Sequence, residues 1–247
     1  MVLFVYFSRM KTDILVFAAH PDDAELACSG TIMAHIALGY KVVVIDLTQG
    51  ELGTRGTAET RAEEAKVSSA LMGIHGRENL GFRDGFFVKD ETHIKKVIEV
   101  IRKYQPEIIF ANSELDRHID HGRAGELVHD ACFLSGLRKI ETNHNGIDQD
   151  AWRPKKVYHY IQDYLSKPDI VFDITEFQER KMECIKAFKT QFYDPNSSEP
   201  LTPIASPEFM QHLVGRSLEF GRRIGVKYGE GFTVKSVIGS KNLMEQV

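Results

Sequence analysis

Two short polar segments of the chain combine histidines with aspartates in a way that suits a metal ion. The first is residues 20–23, with the sequence HPDD, and the second is residues 117–121, with the sequence RHIDH. Neutral imidazole and carboxylate groups are both good ligands of first-row divalent metals. A catalytic zinc site has three protein ligands and one open position for water. His20, Asp23 and one histidine of the second segment could form such a site.

The first segment taken alone has two interpretations. Asp22 and Asp23 precede a predicted helix, so they could cap its N-terminus while His20 is a polar turn residue. Alternatively, two adjacent carboxylates beside a histidine are costly unless a cation neutralises them. The second segment taken alone could be a solvated loop. Two such segments at predicted strand ends favour a metal site over both of these simpler interpretations.

The elements around these segments predict an α/β fold. Short apolar or β-branched runs predict strands at residues 13–19, 41–47, 107–111, 156–162 and 170–174. Helical spacing and helix stops predict helices at residues 24–38, 58–72, 93–104, 122–134, 176–188 and 208–223. Alternation of this kind predicts a Rossmann-like, doubly wound, mainly parallel sheet in a single domain. Such sheets bind ligands beyond the carboxyl ends of their strands, so we expect an active site after Ala19, Leu47 and Ala111.

Two segments of the second half are predicted to be irregular. Residues 135–155 are expected to form a loop, since they contain asparagines, a glycine and a proline. The segment between the last two predicted helices contains four prolines, Pro195, Pro200, Pro203 and Pro207. This proline density predicts an ordered irregular loop that could lie over a site.

The composition is typical of a soluble globular enzyme. The 247 residues are 43% hydrophobic and 27% charged, with a net charge of −4. This charge argues against nucleic acid as the main partner, and no apolar run is long enough for a membrane helix. Three widely spaced cysteines, Cys28, Cys132 and Cys184, predict buried free thiols and a cytoplasmic protein. The apolar start lacks signal-peptide features, and we expect translation to begin at Met10, after an extra segment of residues 1–9.

The two polar segments resemble those of the PIG-L/LmbE-like N-acetylglucosaminyl deacetylase family. The similarity extends to the glycine-rich loop at residues 51–57 and to Arg61 within residues 59–65. Later similar segments are residues 153–158, 167–169, 189–192 and 225–232. The resemblance spans most of the chain from Met10 to Phe232. Its later segments are most similar to the bacterial branch that includes the deacetylase of bacillithiol biosynthesis, which acts on N-acetylglucosaminyl-malate.

The resemblance implies a role for each matching residue. His20, Asp23 and His121 would bind the metal, which is expected to be zinc, although Fe²⁺ or Co²⁺ would also fit this donor set. Asp22 would be the general base. Two residues of the second segment would assist: His118 would support the oxyanion or protonate the leaving amine, and Asp120 would orient and polarise a histidine. Arg61 would contact the small-molecule amino-sugar substrate, and Gln191 is expected to line the pocket. Family members often form hexamers, so a homo-oligomer is expected.

These roles predict hydrolysis of an acetamide. A metal with an open position would activate a water and polarise the acetyl carbonyl. Asp22 would take the proton from that water, and His118, as an imidazolium, would stabilise the tetrahedral oxyanion. Either His118 or protonated Asp22 could protonate the departing amine.

Other functions remain as alternatives to this one. The same site could deacetylate a different amide, such as diacetylchitobiose, an inositol-linked N-acetylglucosamine or a xenobiotic conjugate. A non-catalytic metal- or sugar-binding protein would have no need of Asp22 and His118. A nucleotide-binding protein is disfavoured because no G-x-G-x-x-G or Walker sequence is present. The remaining histidines have no ligand partner at metal spacing and are expected to be core or surface residues: His35, His75, His93, His129, His144, His159 and His212.

Overall fold

A seven-stranded sheet forms the centre of the protein, and a two-stranded hairpin lies apart from it. The computed structural model describes residues 11–239, so the predicted start at Met10 and the segment before it lie outside the described residues. The strands are β1 (Ile14–Ala18), β2 (Val42–Thr48), β3 (Gly76–Phe82), β4 (Ile108–Asn112), β5 (Asn143–His144), β6 (Ile147–Asp148), β7 (Lys156–Tyr160), β8 (Ile170–Asp173) and β9 (Gly229–Thr233). The helices are α1 (Asp23–Ala37), α2 (Ala58–Met72), α3 (Glu91–Tyr104), α4 (Ile119–Leu134), α5 (Gln178–Lys186) and α6 (Pro207–Arg223).

The sheet has the doubly wound order that the sequence predicts. Its strand order is β3-β2-β1-β4-β7-β9-β8, and the neighbours from β3 to β7 are all parallel. Only β9 runs against its neighbours, between β7 and β8. The chain turns back across the sheet between β1 and β4, and this is the switch point at which such folds bind ligands.

The core lies on both faces of the sheet. Every residue of β1 is buried, in agreement with its continuous apolar run. Leu15 and Phe17 of β1 pack on the side of α3 and α4, whereas Val16 and Ala18 pack on the side of α1. Strand β1 is therefore held rigidly between two layers of helices, and this fixes the direction in which the chain leaves it toward residues 20–23.

Apart from shifts of one or two residues at element ends, the structure differs from the predicted elements in four places. Strand β3 was not predicted, because its sequence GRENLGF is polar and it forms a partly exposed edge of the sheet. Strand β9, with the sequence GEGFT, was also missed, because glycines have low strand propensity. The predicted loop at residues 135–155 contains the hairpin of β5 and β6. Helix α4 begins at Ile119 rather than at residue 122, so the second polar segment ends in a helical turn.

The three cysteines are free and buried, as their sequence context predicts. Among residues 11–239, no helix combines the length and apolar character needed to span a bilayer.

A buried ion pair fastens α1 to the sheet. Lys181 of α5 lies 2.6 Å from Glu230 of β9, and both side chains are almost completely buried. The same carboxylate accepts hydrogen bonds from the backbone N–H groups of Gly30 and Thr31 and from the Thr31 hydroxyl. One carboxylate thus joins α5 and β9 to the middle of the helix that begins at Asp23.

We expect the Lys181→Met variant to lose about 3–5 kcal/mol of unfolding free energy, because removing one partner leaves a buried charge uncompensated. Urea denaturation would measure the loss. The matched control is Lys66→Met, whose side chain is 79% exposed and pairs with Glu63 across 3.8 Å. An exposed pair of this kind contributes about 1 kcal/mol or less. A loss for Lys181→Met no larger than that of the control would contradict the structural role of the buried pair.

Candidate active site

A pocket of about 500 Å³ lies at the carboxyl edge of the sheet, beside the switch point between β1 and β4. Most of the site residues predicted from sequence line it together: His20, Asp22, Asp23, Arg61, His118, His121 and Gln191. Asp120 lies behind this surface and is completely buried. The predicted edge of the sheet is therefore where these side chains meet.

The turn between β1 and α1 aims Asp22 away from the helix. Asp22 occupies the N-cap position of α1, yet its side chain makes no capping hydrogen bond. Its φ of 138° is strained for a residue with a side chain. Asp23 does not fill the capping role either, since its Oδ2 accepts the backbone N–H of His20 at 3.0 Å. The helix-cap interpretation of these carboxylates therefore does not hold.

Three predicted ligands converge on one point. Asp23 Oδ2 lies 3.7 Å from His20 Nδ1, and Asp23 Oδ1 lies 3.2 Å from His121 Nε2. His20 reaches this point from the end of β1, and His121 reaches it from the first turn of α4. Two nitrogen donors and a carboxylate at these separations match the donor types of a first-row divalent metal.

Each of the two histidines is held from behind by carboxylates. His20 Nε2 lies 3.0 Å from Asp84 Oδ1 and 3.4 Å from Asp120 Oδ2. His121 Nδ1 lies 2.6 Å from Asp116 Oδ2. A carboxylate on the outer nitrogen fixes the tautomer, so the other nitrogen is free to bind a cation, as in many metal sites. Asp120, which the resemblance implies orients a histidine, lies behind His20 on this side of the site.

Sequence reasoning missed several of these supporting groups. Asp116 lies just before the second polar segment and could have been found by extending that segment by one residue. Asp84 had no such signal, because it follows β3, which was not predicted. Asn112 and Gln162 were also missed; they donate to Asp23 at 3.0 and 2.5 Å, respectively.

The charges of the cluster are arranged for a cation. Burial alone would raise the pKa of Asp23, but the charge of His121 and the hydrogen bonds of both histidines hold it well below its usual range. Burial alone would lower the pKa of His121, yet Asp23 and Asp116 raise it to about 9. Hydrogen bonds with Asp120, Asp23 and Asp84 likewise raise the pKa of His20, against the effect of burial. Buried carboxylates thus create a strong demand for positive charge at this point, and the residues fit a divalent metal.

His118 lies beside the donor set without the same support. Its ring centroid is 4.7 Å from that of His20, and one nitrogen from each of His20, His118 and His121 lies within 4.8 Å of the others. His118 Nδ1 accepts the backbone N–H of Asp120 at 3.2 Å. A neutral imidazole with this bond carries its proton on Nε2, which makes Nε2 a donor. Burial and the positive charges of His20 and His121 lower the pKa of His118.

Asp22 faces Arg61 across the pocket floor. Arg61 Nη2 lies 3.6 Å from Asp22 Oδ2 and also donates to the side-chain oxygen of Gln191. Burial raises the pKa of Asp22 to about 7, although the charge of Arg61 opposes this shift. Gly50 makes the position of Arg61 possible, because a Cβ there would lie 1.8 Å from the guanidinium. Gln191 in turn donates to the backbone oxygen of Arg55 at 2.9 Å.

The outer wall of the pocket combines apolar groups with arginines. The proline-rich segment contributes residues 202–204, so the predicted loop does lie against the site. Four arginines line the pocket: Arg55, Arg61, Arg117 and Arg216. Arg117 pairs with Asp163 at 2.5 Å. Within the described part of the chain, neither Arg55 nor Arg216 pairs with a carboxylate, although both are buried.

Comparison with known proteins places this site in a family. Residues 15–132, which contain both polar segments, match the PIG-L family, described as GlcNAc-PI de-N-acetylase. The chain is 30% identical to the conserved protein TT1542 from Thermus thermophilus and aligns with its crystal structure with a TM-score of 0.82, over 93% of this chain and 98% of that one. The chain belongs to the PIG-L family.

Two curated relatives have names that describe an activity. A diacetylchitobiose deacetylase from Thermococcus kodakarensis is 28% identical over 88% of this chain and 81% of its own length. A probable N-acetyl-alpha-D-glucosaminyl L-malate deacetylase 2 from Bacillus subtilis is 27% identical over 74% of this chain and 84% of its own length. Together with the family match, they identify this chain as an enzyme of the amidohydrolase class, a deacetylase.

Proposed function

We propose that the protein is a zinc-dependent N-deacetylase whose substrate is an N-acetylglucosamine carrying an acidic group, N-acetylglucosaminyl-malate in bacillithiol biosynthesis. The observation that carries the proposal is the placement of Asp22. Its carboxylate is buried and caps no helix, and it lines the same pocket as the converging His20, Asp23 and His121. A binding protein would gain nothing from such a strained and costly carboxylate.

His20, Asp23 and His121 would hold the metal. A zinc ion there would supply electrophilic activation of a water and of the acetyl carbonyl. The chain's own contribution is orientation, because Asp84, Asp116 and Asp120 hold the outer nitrogens of the two histidines. Such outer partners keep the donor nitrogens aimed at one point even when the substrate displaces solvent from the pocket.

Asp22 would hold the proton that the attacking water loses. A general base works best when its pKa is close to the operating pH, and a buried carboxylate that forms no capping bond is suited to this role. Arg61 keeps the carboxylate at the pocket surface by attraction, without a direct hydrogen bond at their separation of 3.6 Å. After attack, the same carboxyl group is placed to return the proton to the departing amine.

His118 would stabilise the oxyanion as a neutral donor. The sequence interpretation treats His118 as an imidazolium, but its bond from the Asp120 N–H and its lowered pKa favour the neutral ring with a proton on Nε2. Losing one donor of this kind typically costs about 100- to 1000-fold in rate. A neutral His118 keeps that proton for the oxyanion, so the amine would receive its proton from Asp22.

Two buried arginines support an anionic substrate. Among the described residues, Arg216 donates only to backbone oxygens, those of Gln162 and Leu26. Arg55 donates to the Ser197 hydroxyl at 2.6 Å. The Nε of Arg55 has no hydrogen-bond partner within residues 11–239. Buried charges are costly unless they are paired, so a carboxylate of the substrate would complete this side of the pocket. Malate carries such carboxylates, whereas diacetylchitobiose carries none.

We expect Arg55→Met to raise the KM for N-acetylglucosaminyl-malate by roughly 10- to 100-fold, since a hydrogen bond to a charged group is worth about 1.5–3 kcal/mol. The kcat should change little, because Arg55 touches the acidic group rather than the acetamide. Steady-state kinetics with this substrate and with diacetylchitobiose would measure the difference. The matched control is Arg138→Met, an exposed arginine outside the pocket.

The same panel tests the proposed substrate. The proposal predicts a higher kcat/KM for N-acetylglucosaminyl-malate than for diacetylchitobiose in the wild-type protein, and a preference that disappears in Arg55→Met. The deacetylase of neutral chitobiose is the second candidate function, supported by the relative from Thermococcus kodakarensis. Equal or better turnover of the neutral substrate, unaffected by Arg55→Met, would favour that candidate and contradict an acidic substrate.

A further inference from the structure

Three residues outside the active-site pocket form a second group of metal-ligating side chains. Glu114 follows β4, His129 lies on α4, and His159 lies on β7. One ligand atom from each lies within 4.8 Å of the others. Neither histidine was expected from its sequence spacing to have a ligand partner. Spacing along the chain gives no sign of this group, because its members come from elements that only the fold brings together.

His159 is oriented as a metal ligand would be. Its Nδ1 donates to the backbone oxygen of Asn112 at 2.8 Å, and a carbonyl oxygen can only accept. The proton of the neutral ring is therefore on Nδ1, and Nε2 carries a lone pair. That Nε2 faces Nδ1 of His129 at 3.4 Å, with the two rings stacked at an angle of 30°. A backbone carbonyl on the outer nitrogen is a common support for a ligating histidine.

Close packing of α4 on the end of β4 places the third ligand. A Cβ on Gly125 would lie 2.7 Å from the backbone oxygen of Asn112 and 3.2 Å from Cγ of Glu114. The glycine therefore lets α4 approach the segment that carries Glu114. His129 lies four residues after Gly125, on the same face of the helix. The carboxylate and the two imidazoles thus meet because of backbone packing.

The carboxylate of Glu114 already attracts a positive charge. It forms an ion pair with Lys235, in the segment that follows β9. Their side chains are 30% and 45% exposed, respectively, so the lysine can turn toward solvent when another cation arrives.

We propose that Glu114, His129 and His159 form a second binding site for a first-row divalent transition metal, separate from the active site. Two imidazoles and one carboxylate suit Zn²⁺ and Co²⁺. The bound ion would tie α4 and β7 to the end of β4. Asn112 connects the two sites, because its carbonyl accepts from His159 while its side chain donates to Asp23.

The test measures how many metal ions bind to the full-length protein after its own metal has been removed with a chelator. Titration with Co²⁺, followed by its absorption spectrum and by equilibrium dialysis, should show two bound equivalents for the wild type. Glu114→Gln and His129→Gln should each bind one. His121→Ala should also bind one, and His121→Ala combined with His129→Gln should bind none. The count does not depend on the substrate of the enzyme.

Lys235→Met gives an independent readout, because it removes the cation that competes for Glu114 and leaves the three ligands intact. The second equivalent should bind several-fold more tightly in this variant, with the first unchanged. The proposal is overturned if the wild type binds a single equivalent that Glu114→Gln and His129→Gln both retain. An affinity of the second equivalent that Lys235→Met leaves unchanged would also overturn it, since Glu114 would then not be a ligand.

Discussion

The Asp22→Asn variant is expected to keep its metal and lose about 100- to 10 000-fold in kcat, the usual contribution of a general base. Asparagine has nearly the same shape as aspartate, but it cannot accept the proton of the attacking water. Because Asp22 makes no bond that caps α1, the substitution removes no support from the helix. Acetate release under saturating substrate would measure the loss, and equilibrium dialysis would measure the metal.

Asp173→Asn is the matched control for this substitution, since Asp173 lies on β8 at the far edge of the sheet. It should leave turnover unchanged. An Asp22→Asn protein that binds metal and turns over at the wild-type rate would show that another group takes the proton. Loss of metal in Asp22→Asn would instead make Asp22 a ligand, and the separate roles of the two adjacent aspartates would be wrong.

The His121→Ala variant is expected to lose the active-site metal and, with it, activity. The substitution removes one of three converging donors and leaves Asp23 without the partner that lies 3.2 Å away. We expect active-site metal affinity to fall by more than the 10- to 100-fold that is typical when an outer partner of a ligand is removed. Competition with a chromophoric chelator would measure the affinity.

Two further variants, one at the outer partner of His121 and one at the surface, show how specific the loss of metal affinity is. Asp116→Asn alters only the group behind His121, so it should weaken active-site metal binding by about 10- to 100-fold. His212→Ala removes an exposed histidine and should have no effect. Wild-type affinity at the active site in His121→Ala would refute the assignment of this ligand. An affinity in Asp116→Asn lower than in His121→Ala would show that the carboxylate binds the metal directly.

The location of the site could be predicted because two strands are unambiguous. Residues 13–19 and 107–111 are short, mostly apolar runs of the length and composition typical of buried strands in the middle of a parallel sheet. Each is followed closely by histidine and aspartate, and parallel strands bring their carboxyl ends to one edge. Those two facts were enough to bring His20 and His121 together. The separate roles of Asp22 and Asp23 were implied only by the family resemblance, because the conformation that keeps the Asp22 side chain from capping α1 is not evident from the sequence.

The remaining parts of the site depend on elements without a clear pattern. Asp84 follows β3, whose polar sequence gives no strand signal at the edge of the sheet. Gln162 reaches Asp23 from the end of β7, and its long neutral side chain has no motif of its own. The pairing of His129 with His159 depends on how closely α4 packs on β4. That distance is set by Gly125, and no spacing along the chain encodes it.

Metal-dependent deacetylation can be tested by hydrolysis of N-acetylglucosaminyl-malate in oxygen-18-labelled water with the metal-loaded protein. The proposed reaction predicts one equivalent of free amine for each acetate, with one labelled oxygen atom in that acetate. The reaction should stop on treatment with a chelator and return with added Zn²⁺. Acetate release that continues after complete removal of metal, or the absence of any labelled acetate from the loaded protein, would contradict the proposed function.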